Sequence, residues 1–186
     1  MKNILIVSGI FEPDIGGPAS YARAMGTSLA FDHNVTIISY SSVWSYANDK
    51  KFPFRVIRIW KKWPWLMRHI LYAMRTLLAA RRNDVTIALN AINAGPIAAV
   101  ASKIFGKPYI LKVVGDRAWE TAIERGATKL LINDFQKQSK HGRIRLIHGL
   151  QVWSCRKAKK IIVPSEYLAT VVHDWGISED KIRVIY

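Results

Sequence analysis

Residues 2–17 read KNILIVSGIFEPDIGG, and this stretch decides the fold class. Ile4 to Val7 form a short, unbroken apolar run that closes at Ser8-Gly9. That is the pattern of a strand buried on both faces of a parallel sheet. Phe11 to Gly17 read as a loop. Pro18 then stands where a first helical residue is favoured, and a helix is expected to about Ala30. Gly16 and Gly17 between strand and helix allow positive φ and close approach to the main chain. The helix start offers free N–H groups and the positive end of its dipole. Such a turn can hold a phosphate or a sugar hydroxyl, and it serves equally as an ordinary strand-to-helix connection. It is not GxGxxG, so the dinucleotide fingerprint is absent.

The same alternation continues along the chain. Strands are expected at 34–40, 54–60, 84–89, 109–114, 160–163 and 182–186. Helices are expected at 64–82, 91–105, 118–125, 144–159 and from Ser165 to about Trp175. Gly106 with Pro108 is a stop signal for the third helix, Ser165 a cap for the last, and Thr121 with Glu124 a candidate capping pair. Residues 126–143 are the least legible. Strands and helices at this spacing imply βαβ units, hence a single α/β domain with a mostly parallel sheet and helices on both faces.

Composition narrows the class. The chain has 186 residues, half of them hydrophobic, which is too apolar for a disordered protein. Met1-Lys2-Asn3 leads straight into the first apolar run, which reads against a signal peptide. A lone Cys155 excludes an internal disulfide and a Cys-rich zinc site, and points to a reducing, cytoplasmic setting. The five histidines lack paired metal spacing, so no metal is expected. No GxSxG or GKS/T appears, which leaves serine hydrolases and P-loop NTPases unsupported.

Twenty-eight Lys and Arg against thirteen Asp and Glu give a formal charge of +15. Such a surplus calls for a polyanionic partner. Ten of the cations fall between Lys50 and Asn83, and eight more between Phe135 and Ser165, with no acid in either stretch. In the first, Lys61, Arg68, Arg75 and Arg82 recur every seven residues, close to one line on a helix. Trp63, Trp65, Leu66 and Met67 stand at its start, while Ile70, Leu71, Met74, Leu77 and Leu78 are expected to pack inward. Cations, tryptophans and an apolar flank together mark a helix lying in a membrane interface. The membrane-binding candidates are Lys61, Lys62, Trp63, Trp65, Arg68 and Arg75. The alternative is a solvated basic face. Nucleic acid is the disfavoured partner, since no fold that binds it is recognisable.

LKVVGDRAWE, residues 111–120, places Asp116 and Glu120 just past the end of a strand, where parallel sheets open their ligand crevice. A carboxylate there can orient a hydroxyl or act as a general base. It can equally be a helix-start Asp followed by a solvated Glu.

The first strand, then EPDIGGPASYARAMGTSLA, then NVTIISY, resembles the opening of a family-4 glycosyltransferase of the GT-B type. KAKKIIVPSEYLATVVHDWGISEDKIRVIY is similar to the segment that ends the N-terminal domain in that family. The likeness covers nearly the whole chain, more weakly over residues 41–83. It implies a Rossmann-like domain, residues 1–186, forming the acceptor-binding half of a retaining transferase. A donor-binding domain, in cis or in trans, would hold the nucleotide-sugar, which enters as a substrate; no cofactor is implied. Gly16 and Gly17 match the glycine loop facing the donor phosphates, and Ser165 with Glu166 the cleft-facing start of the last helix. Lys112 joins them as a candidate for acceptor or phosphate binding. Many members carry a His at the VVGD strand end, replaced here by Gly115-Asp116; a branch with a GD.AWE pattern fits better. Asp116 and Glu120 are then the catalytic candidates. The acceptor would be a lipid-linked or glycan molecule, met at the inner face of the membrane by a peripheral protein. The other class of reading is a non-catalytic module binding anionic lipid or nucleic acid.

Overall fold

The computed structural model describes residues 1–186. Seven strands form one sheet: β1 (Asn3–Ser8), β2 (Asn34–Ser41), β3 (Arg55–Trp60), β4 (Val85–Ala88), β5 (Tyr109–Lys112), β6 (Lys160–Val163) and β7 (Ile182–Val184). Their order is β3-β2-β1-β4-β5-β6-β7, and every neighbouring pair is parallel. The helices are α1 (Gly17–Leu29), α2 (Trp65–Arg82), α3 (Gly95–Phe105), α4 (Arg117–Glu124), α5 (Ile132–Lys137), α6 (Gly142–Lys157) and α7 (Glu166–Asp174).

Alternate strand residues point to opposite faces. Leu5, Val7, Ile38, Leu111 and Ile161 join a large core with α2, α3, α6 and α7. Ile4, Ile6, Val35 and Ile37 join a smaller one with Ala22 of α1 and Phe54. A Cβ on Gly26 would lie 3.0 Å from Ile37 Cδ1 and from Phe54 Cε1, so glycine lets α1 settle on the sheet. Gly95 plays the same part between α3 and α6, where a Cβ would meet that of Ser154 at 2.9 Å. The chain leaves β1 toward β2 on one side and β4 toward β5 on the other. The two directions part between the adjacent strands β1 and β4, where an open parallel sheet forms its crevice.

Several sequence expectations change. Helix α3 starts at Gly95 instead of Ala91, because Asn90 Oδ1 accepts the N–H groups of Ile92, Asn93 and Ala94 at 3.2, 2.6 and 3.1 Å. This side-chain turn outcompetes a helical one. The stretch 126–143 contains α5 and the first residues of α6. Thr121 and Glu124 do not cap α4: Thr121 Oγ1 is buried without a partner, Glu124 pairs with Arg117, and Asp116 is the cap.

The largest departure is on α2. It buries Tyr72, Thr76 and Ala80 and leaves Ile70, Met74 and Leu78 49, 52 and 60% exposed. The expectation that these three pack inward is corrected; only Leu71 and Leu77 lean on the core. Tyr72 takes the inner position because its ring stacks on Tyr40 at 4.2 Å and its hydroxyl donates to the Ser8 carbonyl at 2.9 Å.

Arg58 of β3 holds the loops at the C-terminal edge. Its side chain, only 4% exposed, makes a forked pair with Asp49 at 2.8 and 2.6 Å. It also donates to Ser41 Oγ at 3.0 Å and to the Glu12 carbonyl, and lies over the rings of Phe11 and Tyr46. One guanidinium thus joins the loop after β1, the end of β2 and the turn at 47–51. Arg58→Met should lower the free energy of unfolding by about 3–5 kcal/mol, since it leaves Asp49 and the Glu12 carbonyl without their donor. Urea denaturation checks this, and a loss below about 0.5 kcal/mol would show that the clasp is dispensable.

Candidate functional site

Beyond the ends of β4 and β5 lies an open crevice of about 370 Å³, lined by Asn90, Asn93, Val113, Gly115, Arg117 and Glu120 among others. It adjoins the switch point: a Cβ on Gly9, after β1, would meet Asn90 Nδ2 at 3.2 Å and Asn93 Nδ2 at 3.6 Å. Glu120 Oε1 presses on Gly115, where a Cβ would come within 2.5 Å of it. Its other oxygen accepts from Arg117 Nη1 at 3.1 Å, and Arg117 also grips Glu124 at 2.9 Å. The Glu124 and Glu120 carboxylates hold that guanidinium above its ordinary pKa.

The two carboxylates expected at this strand end have different places. Glu120 stands half-open on the crevice. Asp116 is fully buried and caps α4, accepting from the N–H groups of Ala118 at 2.9 Å and Trp119 at 3.1 Å. Gln151 Nε2 donates to the same oxygen and Gln136 Nε2 to the other, both at 2.8 Å. With four donors on it and no open surface, Asp116 is placed to position α4 rather than to meet a substrate hydroxyl. Gln136 in turn accepts from Trp175 Nε1 at 3.0 Å, so the network joins α4, α5 and α6 to the end of α7. Burial lowers the pKa of nearby Lys140, with Asp116 opposing. Burial, then Lys140, lowers that of His148, again against Asp116.

The glycine loop is fastened from three sides. Besides the bond from Arg58 to the Glu12 carbonyl, Asp14 accepts from Lys61 Nζ at 2.8 Å and from the Ser42 N–H at 3.2 Å. Burial pushes the Asp14 carboxyl up, but these donors outweigh it and leave its pKa below the usual value. Lys61, expected on the membrane face, is therefore largely engaged within the protein. Neither Gly16 nor Gly17 has left-handed φ, which corrects that part of the expectation. A Cβ on Gly17 would touch nothing within 4 Å, so packing does not require glycine there. Lys112 is buried on the α1 side, its Nζ 3.5 Å from the centre of the Tyr21 ring, and forms no ion pair. Ser165 caps α7 through the Leu168 N–H at 3.2 Å. Glu166 faces a different hollow, with Thr170, His173 and Glu179, so this pair does not share the crevice of Glu120. Sequence reading missed Asn90 and Asn93; two amides directly after a strand were the available signal.

The same sheet edge carries an aromatic cluster. Trp44, Trp60 and Trp63 lie 6.0–6.4 Å apart between ring centres, and Lys62 sits over Trp60 at 5.7 Å. Trp44 and Trp65 are 67 and 66% exposed. Trp65 edges onto His69, which lies 2.6 Å from the Tyr40 hydroxyl. Burial pushes that hydroxyl up to about 12, against the opposing charge of Arg68, and burial, then Arg68, lowers His69. Cys155, pushed up to about 12 by burial, is an inert thiol. No helix is long and apolar enough to cross a membrane.

The profile of the glycosyl transferase 4-like domain matches residues 16–186. The chain belongs to this family. Among solved structures it is similar to HepE of Anabaena in complex with UDP, with a TM-score of 0.68 at 16% identity, over 100% of this chain and 44% of that one. The lipopolysaccharide outer core galactosyltransferase WaaB matches at TM-score 0.58 and 11% identity, over 100% of this chain and 45% of that one. The UDP-GlcNAc 2-epimerase of Methanocaldococcus jannaschii matches at 0.57 and 12%, over 98% and 45%. At these identities the likeness is one of fold: half of a GT-B architecture. The chain spans less than half the length of each of these three proteins. None of the curated proteins matches its sequence significantly.

The two carboxylates should separate in stability. Asp116→Ala removes a cap and strands two glutamine amides, so it should cost at least about 1–2 kcal/mol. Glu120→Gln should stay within about 0.5 kcal/mol of the parent. Thermal unfolding of both variants decides this, and equal losses would overturn the assignment.

Proposed function

We propose that this domain is the acceptor-binding half of a retaining, nucleotide-sugar-dependent glycosyltransferase acting on a lipid-linked or glycan acceptor at a membrane surface. The observation that carries the reading is a shared edge. The crevice with Glu120, the fastened glycine loop and the exposed tryptophans all sit at the C-terminal ends of the strands. Lys61 links the last two through Asp14.

In this reading Glu120, not Asp116, orients the acceptor hydroxyl or takes its proton, while Asp116 sets the start of the helix that bears Glu120. Gly16 and Gly17 leave the main chain bare where the donor phosphates approach, and α1 points its N-terminus at them. Lys112 adds a buried positive charge on the same side of the sheet. The acceptor oxygen attacks the anomeric carbon from the side on which the nucleoside diphosphate leaves. The hydroxyl proton goes to Glu120 or to the departing phosphate. A donor-binding domain, in cis or in trans, brings the nucleotide-sugar.

Docking would use the exposed stripe of α2. Leu66, Ile70, Met74 and Leu78, four residues apart, form an apolar band, and Arg68, Arg75 and Arg82 run beside it. A large exposed apolar stripe beside a cationic line is what an interfacial helix presents to anionic lipid. The domain would then work as a peripheral protein on the cytoplasmic face.

Vesicles rich in anionic lipid should therefore bind the chain, less so as salt rises. Changing Lys62, Arg68 and Arg75 to Gln should remove up to about 3 kcal/mol at low salt, by addition of about 1 kcal/mol each. Ile70→Gln with Met74→Gln, which leaves the charge of the helix unchanged, should abolish binding. Unaltered co-sedimentation of both variants would rule out α2 as the contact.

For the chemistry, Glu120→Gln in a complete enzyme containing this domain should lower turnover by about 10²-fold or more, with the melting temperature unchanged. Normal turnover would leave Glu120 as a helix residue in an ion pair and favour a non-catalytic module.

A further inference from the structure

A second cavity lies at the opposite edge of the sheet, where β1, β2 and β3 begin and α2 ends. It measures about 650 Å³. Four arginines line it: Arg55 from β3, and Arg75, Arg81 and Arg82 from α2. None of the four forms an ion pair with a carboxylate. The Asp84 carboxylate, close in sequence, is taken by the Asn3 N–H at 2.7 Å and does not line the cavity. Asn3 and Asn34 hold each other at 3.0 Å on its rim, and Thr36 and Asn83 supply further polar groups. Lys107 donates to the Arg81 carbonyl at 2.7 Å, which brings a fifth cation to the same end of α2.

All four arginines are exposed, so water screens their repulsion, but their guanidinium groups stay free to meet an anion in the hollow. Arg81 and Arg82 alone could be answering the negative end of the α2 dipole. That does not account for Arg55, which comes from a strand, or for Arg75, which lies two turns back. The apolar part of the wall is Ile57, Leu78 and Ala79. Leu78 also ends the exposed stripe that runs through Met74 and Ile70 along α2. The cavity is thus a cationic pocket at the foot of an apolar track.

We propose that this cavity is a phosphate-binding site that takes a phosphomonoester or pyrophosphate group through the forked donors of Arg55 and Arg82, with Arg75 and Arg81 beside them. Arginine suits this task because its planar fork meets two phosphate oxygens at once. Helix α2, 18 residues or about 27 Å long, separates the pocket from the crevice of Glu120, so the two sites do not overlap. The phosphate could belong to a free ligand or to the headgroup of an anionic lipid whose chains follow the α2 track.

The test is calorimetric titration of the 186-residue chain with inorganic pyrophosphate at low salt, alongside vesicles containing either phosphatidic acid or phosphatidylglycerol at equal surface charge. The wild type should bind pyrophosphate. Arg55→Gln with Arg82→Gln should weaken it about 100-fold, about tenfold per arginine, with unchanged thermal unfolding. Arg55→Lys with Arg82→Lys, which keeps the charge, should recover only part of the affinity. No pyrophosphate binding at millimolar concentration would overturn the proposal. So would equal affinity in the Gln variant, or full recovery by Lys, which would reduce the cluster to diffuse basic charge. With pyrophosphate bound as expected, a preference for phosphatidic acid that the Gln variant loses identifies the lipid headgroup as the source. Equal binding to both vesicles, or to neither, identifies a free phosphate ligand. Pyrophosphate binding without any vesicle binding would sink membrane docking and leave this site standing; vesicle binding without pyrophosphate binding would do the reverse.

Discussion

Arg58 is the contact on which the loops at the C-terminal edge of the sheet depend. Parallel strands end in loops that have no ladder to hold them, and here the loops after β1 and β2 converge on one buried guanidinium. Its charge is met by Asp49, its remaining donors by a carbonyl and a hydroxyl, and its faces by Phe11 and Tyr46. A buried charge is tolerated only when it is answered this fully. The result is a glycine loop held in place by the domain's own contacts. Asp14 and Lys61 extend the same clasp toward the tryptophans.

The polar network around Asp116 does the corresponding work on the other side of the crevice. Asp116 fixes the first turn of α4, and that turn carries Arg117 and Glu120 to the open surface. Gln151 and Gln136 hold Asp116 from α6 and α5, and Trp175 holds Gln136 from the end of α7. Precision at the open carboxylate therefore rests on a closed one. This is why a motif with two acids four residues apart contains one positioning residue and one exposed to the crevice.

Much of the fold was legible because parallel strands announce themselves as unbroken apolar runs. KNILIVS, NVTIISY and KIIV all lie where those runs predict. The start of α3 was not legible, because Asn90 captures three N–H groups and delays the helix; no periodicity records that. The short α5 has too few residues to show a period. On α2 the hydrophobic pattern misleads outright. Its inner face is filled by Tyr72, Thr76 and Ala80, so large apolar residues surround the helix and the sequence cannot say which of them stay out. Within LKVVGDRAWE the place of both acids just past a strand end was legible from the pattern, while the burial of Asp116 and the exposure of Glu120 required their hydrogen bonds.

The account turns on the idea that the crevice edge and the α2 stripe face a lipid surface together. Trp44, Trp60, Trp63 and Trp65, four of the seven tryptophans, report on that edge. The most direct measurement is tryptophan emission of the chain on anionic vesicles whose lipids carry bromine on the upper part of the acyl chains. The account predicts strong quenching that largely disappears when Trp44, Trp60, Trp63 and Trp65 are all replaced by Phe. Bound protein whose emission is not quenched, or whose quenching survives that fourfold replacement, would mean that a different face meets the membrane.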